Sequence, residues 1–212
     1  MTEATDGVLV TGTGRVVLDP DVLLVQVGAE AAGAGVSEAL NRCSAALAAM
    51  TAQLRRDGVG DPDLQTTGAS VHQAYHHDGQ PRGWSASQQL TVRLRDLSGA
   101  GELLTAVLDA GGDAARLHAV RYDIDRSGDR YAQARTEARA RAYADALAAA
   151  QQYAALADRR LGVVISVREG DGGYSPPSPL PQPRFAAAEA MPVESGELDV
   201  MTTVEVRWQL LS

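Results

Sequence analysis

Three histidines are the side chains of this sequence most suited to binding a metal ion. His72, His76 and His77 lie close together, and Asp78 follows directly. Neutral imidazole rings placed in this way can bind transition metals. However, only His72 and His76 share strand parity, and no Cys or Glu completes a ligand set. We therefore favour a solvated hairpin end over a metal site, and we expect the protein to need no cofactor.

A glycine pair near the start of the chain suggests a second kind of chemistry, the binding of a dinucleotide phosphate. Gly12 and Gly14 match the first part of the nucleotide fingerprint, but its third glycine is missing. Val16 also leads into a second strand, whereas the fingerprint opens a helix. The better interpretation is a strand whose glycines allow close backbone approach or a bulge.

Few residues could supply a nucleophile or an acid and base pair. Cys43 falls on the apolar stripe of a predicted helix, where a thiol is buried and inert. Asp123 and Asp125 are separated by one residue, but no partner base is identifiable, and a turn at the end of a strand explains them better. All 19 basic residues are Arg, which excludes Schiff-base lysines and a Walker lysine. These observations predict a protein that is not an enzyme.

Charge separates this chain from proteins that bind nucleic acids. The arginines that could form a phosphate-binding face are Arg126, Arg130, Arg135, Arg139 and Arg141. Asp129, Glu137 and Asp145 are interleaved with them, which favours a solvated, charge-balanced helix face. The net charge is −8 and the pI is about 4.9, so nucleic-acid backbones and anionic membrane surfaces would repel the protein. We expect no nucleic-acid partner, and no apolar run approaches the roughly 20 residues of a membrane span.

Hydrophobic periodicity predicts the elements that position these residues. Residues 36–57 repeat apolar side chains at steps of four and three, which predicts an amphipathic helix capped by Ser37. Ser98 is predicted to cap a shorter helix, and residues 129–157 form a long Ala-rich one. The buried stripe predicted for the long helix is Ala134, Ala138, Ala142, Ala146, Ala149, Tyr153 and Leu156. The remaining elements are predicted strands at 8–17, 22–29, 64–75, 83–95, 117–124, 161–167 and 198–211.

The order of these elements predicts an α+β fold. We expect a mostly antiparallel sheet with helices on one face, made of two strand-helix-strand-strand units at 22–95 and 117–211. Val92, Leu94, Val204, Val206 and Trp208 would form its covered face. The whole chain, 1–212, is predicted to be a single domain. A Pro- and Gly-rich loop at about 170–196 is predicted to be mobile, because its composition cannot pack a core.

The order of several short motifs resembles the SIMPL-domain family, also called a domain of unknown function (DUF541). The matching stretches are VTGTGRV at 10–16, DLQTT at 63–67, GWSAS at 83–87 and VRLRDL at 92–97, followed by Ala134, Arg135, Ala138 and Ala142, then Leu161, Gly162 and the strand end at 165–169. The resemblance implies a family of periplasmic or envelope proteins, some immunogenic, some tied to oxidative-stress defence and some forming ring-like or channel-like oligomers. It implies no established catalytic residues.

The first residues of the sequence lead to a prediction of location. Residues 1–7 are short, acidic and polar, where a signal peptide is basic and then apolar. The single cysteine cannot form an intrachain disulfide. These features predict a cytoplasmic protein, in contrast to many members of the family.

Without a catalytic constellation, the function predicted is self-assembly into a homo-oligomer that acts as a scaffold or interaction module. A stress-related role and an unidentified protein partner stay open. The residues predicted to make contacts are Tyr75, Trp84, Pro176, Pro177 and Pro179. The alternative is a small-molecule-binding protein or an unrecognised enzyme with a pocket near the Pro-rich loop.

Overall fold

The computed structural model describes residues 7–77, 80–170 and 196–212. Within these residues the chain forms seven strands and three helices. In chain order they are β1 (Gly7–Leu18), β2 (Val22–Gly33), α1 (Val36–Arg56), β3 (Leu64–Tyr75), β4 (Pro81–Leu94), α2 (Ala100–Gly111), β5 (Ala115–Asp123), α3 (Asp129–Leu156), β6 (Arg160–Gly170) and β7 (Leu198–Leu211). The predicted α+β class is confirmed.

The described strands pair only antiparallel, and they divide between two sheets where the sequence pattern suggested one. One sheet has the order β1-β7-β6 and the other the order β3-β4-β2-β5. Each sheet belongs to a separate compact unit. The three-strand unit contains described residues 7–20, 124–170 and 196–212, and the four-strand unit contains 21–77 and 80–123. The prediction of a single domain over 1–212 stays a prediction, and the predicted mobile loop lies almost wholly outside the described residues.

The four-strand unit is held together by α1 and α2 on one face of its sheet. Val25 and Val27 of β2 lie opposite Val92 and Leu90 of β4, and all four are buried against the helices. Burial of a side chain of this size contributes about 1.5 to 3 kcal/mol. The predicted caps are wrong in detail. Helix α1 begins after Gly35 and α2 begins after Gly99, and neither has a side-chain hydrogen bond at its N-cap.

The three-strand unit buries one face of β7 beneath α3. Val204, Val206 and Trp208 alternate with half-exposed polar residues along β7, and all three are buried, as predicted. The long-range pairing of β1 with β7 brings Val10 and Val16 to the same covered face. This unit therefore depends on contacts between distant parts of the sequence.

The predicted repeat is present, with one strand exchanged. In the four-strand unit the repeat is β2-α1-β3-β4, and the matching arrangement in the three-strand unit is β1-α3-β6-β7. The sequence pattern placed β5 at the head of the second repeat. Instead, β5 pairs with the edge of β2 in the four-strand sheet. Strand pairing across long separations leaves no local signal, which explains the difference.

The buried stripe of α3 differs from the predicted stripe in its second half. It continues as Ala150 and Ala154, while Tyr153 and Leu156 are exposed. A strict four-residue spacing drifts around a helix with 3.6 residues per turn. The row of buried alanines therefore winds slowly around α3. A prediction that keeps the buried residues on one face of the helix is wrong at its C-terminal end.

Candidate functional site

The glycine pair of β1 lies against the backbone of α3. A Cβ atom on Gly14 would overlap the carbonyl oxygen of Ala138, and one on Gly12 would overlap that of Ala142. Both glycines therefore let the helix approach the strand more closely than any other residue would allow. This arrangement supports the predicted close backbone approach and leaves no room beside the glycines for a dinucleotide phosphate.

Side chains of α3 also cap the free edge of β1. The backbone N–H of Thr13 donates to Asp145 Oδ2 at 2.9 Å. Arg141 Nη1 donates to the carbonyl oxygen of Arg15 at 2.6 Å. These two bonds satisfy backbone groups that would otherwise be available to another strand. The β1 edge of the sheet is thus partly closed.

The opposite edge of the same sheet, β6, carries apolar side chains that the described chain covers only in part. They are Val163, Val164, Ile165 and Val167, which we call the β6 patch, and their exposed fractions are 70%, 39%, 42% and 52%. Val164 and Val167 lie opposite Trp208 and Val206, so they belong to the sheet face that α3 covers elsewhere. They stay exposed because α3 packs chiefly over β1 and β7. A row of exposed branched apolar residues on an outer strand favours contact with another chain.

Beyond the patch, the end of β6 is held to α3 by a charge cluster. Glu169 accepts hydrogen bonds from Arg139 Nε at 3.0 and 3.1 Å and from Arg135 Nη2 at 3.3 Å. These arginines, Arg139 first, lower the pKa of the Glu169 carboxyl. The cluster anchors the strand at one end and leaves its middle uncovered.

Two register shifts interrupt the pairing of β6 with β7. One lies between Leu161 and Val164, and the other between Val164 and Ser166. Such irregularities increase the local twist of a strand and alter the direction of its side chains. Exposed apolar groups therefore occur on both faces of β6, with the Ile165 side chain reaching toward Gly7 across the sheet.

The open face of the four-strand sheet carries a polar cluster that sequence patterns did not single out. Glu30 accepts from Ser85 Oγ at 3.4 Å and pairs with Arg116 Nε at 3.4 Å. Ser70 and Ser87 hydroxyls share a hydrogen bond of 2.9 Å in the neighbouring row. The parity of Ser85 and Ser87 in β4 was a usable signal, but the partners on β2, β3 and β5 become neighbours only through sheet pairing. The hydroxyl, carboxylate and guanidinium groups of this cluster therefore bind one another.

The histidines proposed as weak metal candidates are exposed at one end of the four-strand unit. His72 lies on β3 opposite Ser85, and His76 and His77 follow the end of that strand. In the described part of the chain, no group of three or more His, Cys, Asp or Glu is arranged to hold a metal ion. Asp78, the fourth member of the sequence cluster, lies outside the described residues.

Cys43 is fully buried on α1, and its thiol donates to the carbonyl oxygen of Ala29 at 3.2 Å. Burial raises the pKa of the Cys43 thiol, which disfavours the reactive thiolate.

Asp123 and Asp125, the aspartates considered as an acid and base pair, have separate local roles. Asp123 is buried and pairs with Arg121 Nη2 at 3.3 Å, whereas Asp125 accepts from the Ser127 N–H and hydroxyl in the turn before α3.

The arginine cluster is largely occupied by contacts within the three-strand unit. Arg135 and Arg139 bind Glu169, and Arg141 pairs with Glu137 while capping β1. Arg130 reaches the Asp19 carbonyl oxygen at 3.5 Å. The face therefore resembles the charge-balanced surface that the sequence predicts more than a phosphate site.

The residues predicted to make contacts differ in how far the structure exposes them. Tyr75 is 58% exposed at the end of β3, and its hydroxyl donates to Gln73 Oε1. Trp84 is half-buried against Ala29, Cys43 and their neighbours beneath α1. Pro176, Pro177 and Pro179 lie outside the described residues. The β6 patch was not among the predicted residues, because a run of Val and Ile is typical of a buried strand.

An open groove of about 460 Å³ follows one side of α3. Its lining residues are Asp129, Ala132, Gln133, Thr136, Glu137 and Ala140. All six are exposed, so the groove offers none of the buried converging polar groups of a typical ligand site. The alternative of a pocket near the Pro-rich loop stays a prediction.

Comparison with known proteins decides the family. The family model for SIMPL, a protein of unknown function (DUF541), matches residues 8–208. The chain belongs to the SIMPL family. Two similar curated proteins are each named 26 kDa periplasmic immunogenic protein, one from Brucella melitensis and one from Brucella abortus. Each is 27% identical over 226 residues, covering 99% of this SIMPL chain and 87% of the relative.

These relatives correct one prediction about the SIMPL chain. The cytoplasmic location inferred from residues 1–7 is wrong, because proteins similar over nearly its whole length are named as periplasmic. The composition of residues 1–7 carries less weight than a match over nearly the whole chain. Among the described residues, no helix is both long and apolar enough to cross a bilayer.

Proposed function

We propose that this SIMPL protein acts in the periplasm as a non-enzymatic, self-associating scaffold. The observation that carries the proposal is the β6 patch, where Val163, Val164, Ile165 and Val167 remain exposed on an outer strand. Each square ångström of apolar surface removed from water contributes about 25 cal/mol. A second copy that covers the patch would gain this contribution without unfolding any part of the monomer.

The four patch residues alone are smaller than a stable interface, which buries about 800 Å² on each partner. The surrounding surface of the three-strand unit extends the apolar area. Tyr143, whose ring lies 6.0 Å from that of Trp208, and Leu211 at the end of β7 are both 37% exposed. These two side chains are further candidates for subunit contact in the same unit.

The non-enzymatic part of the proposal is supported by the state of the candidate catalytic residues. Cys43 is buried with a raised thiol pKa, and Asp123 is buried in an ion pair with Arg121. The sequence also lacks lysine altogether. None of these groups is arranged as an activated nucleophile beside a base.

Light scattering during size-exclusion chromatography tests self-association. The wild-type chain, with a monomer mass of 22.2 kDa, should elute as an oligomer. Val163→Arg combined with Val167→Arg should shift it to the monomer, because charge on an edge strand opposes pairing. Leu156→Arg is the matched control, since Leu156 is 76% exposed on α3 of the same unit and its replacement should leave the mass unchanged.

A wild-type protein that stays monomeric at the highest soluble concentration would contradict the proposal of self-association. Equal dissociation by Leu156→Arg would show that general charge, and not the β6 patch, controls the mass. The proposed location has its own test, which is osmotic-shock fractionation of the source cells followed by immunoblotting. We expect the protein in the shock fluid, and its retention with cytoplasmic markers would refute a periplasmic location.

A further inference from the structure

The outer edge of β1 is open to another strand by its place in the sheet and by its composition. β1 stands at the end of the strand order β1-β7-β6, and its 12 residues include four valines and two threonines. Leu9 and Val17 are 46% and 41% exposed on this strand. A long outer strand of this composition can act as a template for pairing with another chain. The backbone groups along the edge therefore need protection if the folded protein is not to aggregate.

The backbone groups that face this edge belong to alternate residues of β1. In an antiparallel sheet the N–H and C=O of one residue point to the same side, and those of the next residue point to the other. The Thr13 N–H donates to Asp145 Oδ2 at 2.9 Å. Arg141 Nη1 donates to the Arg15 carbonyl oxygen at 2.6 Å. Thr13 and Arg15 therefore face outward, and a further strand would pair with them at successive positions of its ladder.

The spacing of the two side chains on α3 matches the spacing of the two backbone groups on β1. Asp145 and Arg141 are four residues apart, a rise of about 6 Å along a helix. Thr13 and Arg15 are two residues apart, about 6.6 Å along a strand. The charges match as well, because a carboxylate accepts from the N–H and a guanidinium donates to the carbonyl oxygen. At these two positions α3 thus takes the place of a neighbouring strand.

A third side chain holds one of the two contacts in place. Glu137 lies four residues before Arg141 on α3 and forms an ion pair with it. The close approach of α3 to Gly12 and Gly14 brings the helix near enough for its side chains to reach the edge. Hydrogen bonds that involve a charged group are stronger than those between neutral groups. A strand arriving at β1 must break two such bonds before it can form its own.

From these observations we propose that Asp145 and Arg141 form an autoinhibitory contact, the β1 clasp, which prevents a further strand from pairing with β1. The clasp keeps this edge of the folded chain inactive. The inference concerns the edge opposite the β6 patch, so it goes beyond the proposed function and does not depend on it. Self-association through β6 can fail while the clasp stands, and the reverse also holds.

Amide hydrogen exchange measured by NMR tests the clasp in the folded chain. The parent is the Val163→Arg, Val167→Arg double variant, in which association through the β6 patch is opposed. Its Thr13 N–H should have a protection factor about tenfold or more above that of the Thr11 N–H, which faces the same edge but has no side-chain acceptor among the described residues. Asp145→Ala should remove the difference, while Asp145→Asn, which keeps an acceptor oxygen, should retain part of it. Equal protection of the two amides in the parent would refute the clasp.

Removal of the clasp should release strand pairing. Asp145→Ala with Arg141→Ala in the same parent should give larger assemblies by light scattering and increased thioflavin T fluorescence, because the freed backbone groups can pair between chains. The matched control is Arg55→Ala with Asp61→Ala, which removes an exposed ion pair of 2.8 Å from the four-strand unit and should keep the mass of the parent. A clasp-free variant that is folded by circular dichroism yet unchanged in mass would overturn the proposal, and so would equal assembly of the control.

A proline on the edge strand separates pairing through β1 from general aggregation. Proline is tolerated on an outer strand where the missing N–H faces away from the sheet, and it obstructs further pairing. Thr13→Pro added to the clasp-free variant should therefore return it to the mass of the parent. Thr11→Pro, at the next outward position, is the second variant if urea unfolding shows that Thr13→Pro does not fold. Assemblies that persist in a folded proline variant would form through another surface and would overturn the role of the clasp.

Discussion

Strands β1 and β6 are the two outer strands of one sheet, and their exposed edges differ in chemistry. The β1 edge receives Asp145 and Arg141 from α3, while the side chains of the β6 patch stay 39% to 70% exposed. Gly12 and Gly14 allow α3 to lie close to β1, since a Cβ on either residue would overlap the helix backbone. Because α3 packs chiefly over β1 and β7, much of β6 stays exposed. Residues without chemistry of their own can thus decide which surface is available for contact.

The largest loss of stability should come from adding a side chain where α3 lies against β1. Gly14→Ala introduces a Cβ that overlaps the Ala138 carbonyl oxygen and lies 2.6 Å from the Ala142 nitrogen. Because backbone atoms cannot move aside cheaply, we expect a loss of about 3 kcal/mol in the free energy of unfolding. Urea denaturation measures it. Thr13→Ala, exposed on the same strand, should lose less than about 0.5 kcal/mol, and a similar small loss for Gly14→Ala would refute the close contact.

The next prediction compares the stability lost when a buried valine and an exposed valine of neighbouring strands are each replaced by alanine. Val206→Ala removes methyl groups that are fully buried beneath α3, so the monomer should lose about 2 kcal/mol. Val163→Ala, on the adjacent strand at 70% exposure, should change the monomer by less than about 0.5 kcal/mol. Both values come from urea unfolding at concentrations where the protein is monomeric. Equal losses would indicate that Val163 already packs within its own chain.

The smallest effect concerns the charge cluster at the end of β6. Folding lowers the pKa of Glu169, so its contribution to stability is complete above the unfolded pKa of about 4.3 and is lost as the pH falls through the lower folded value. Wild type should therefore exceed Glu169→Gln in urea midpoint near neutral pH, and the difference should shrink below about pH 4. Glu102→Gln, with no ion pair in the described chain, should show a smaller change. A difference that grows on acidification would contradict the assignment.

Much of this fold follows from sequence patterns, whereas the candidate site does not. Strict alternation in β7 identified the buried face of Val204, Val206 and Trp208, since local periodicity records which side meets the core. The neighbours of a strand are set by pairing over long separations, so the exchange of β5 for β1 in the second repeat had no local signal. The β6 patch was missed for a related reason. Val and Ile indicate a strand but cannot show whether a helix lies over it.

Pairing between the first and last strands described here also has a consequence for the order of folding. Arg15 and Asp199 form a 2.5 Å ion pair although they are 184 residues apart in the chain. Because the chain is made and exported from its N-terminus, β1 reaches the folding compartment long before β7, and its apolar face stays unpaired until then. The four-strand unit, whose described residues run from 21 to 123, can be completed first. High contact order then makes the three-strand unit the slower one to fold, and a nascent chain with unpaired β1 is a natural client for a chaperone.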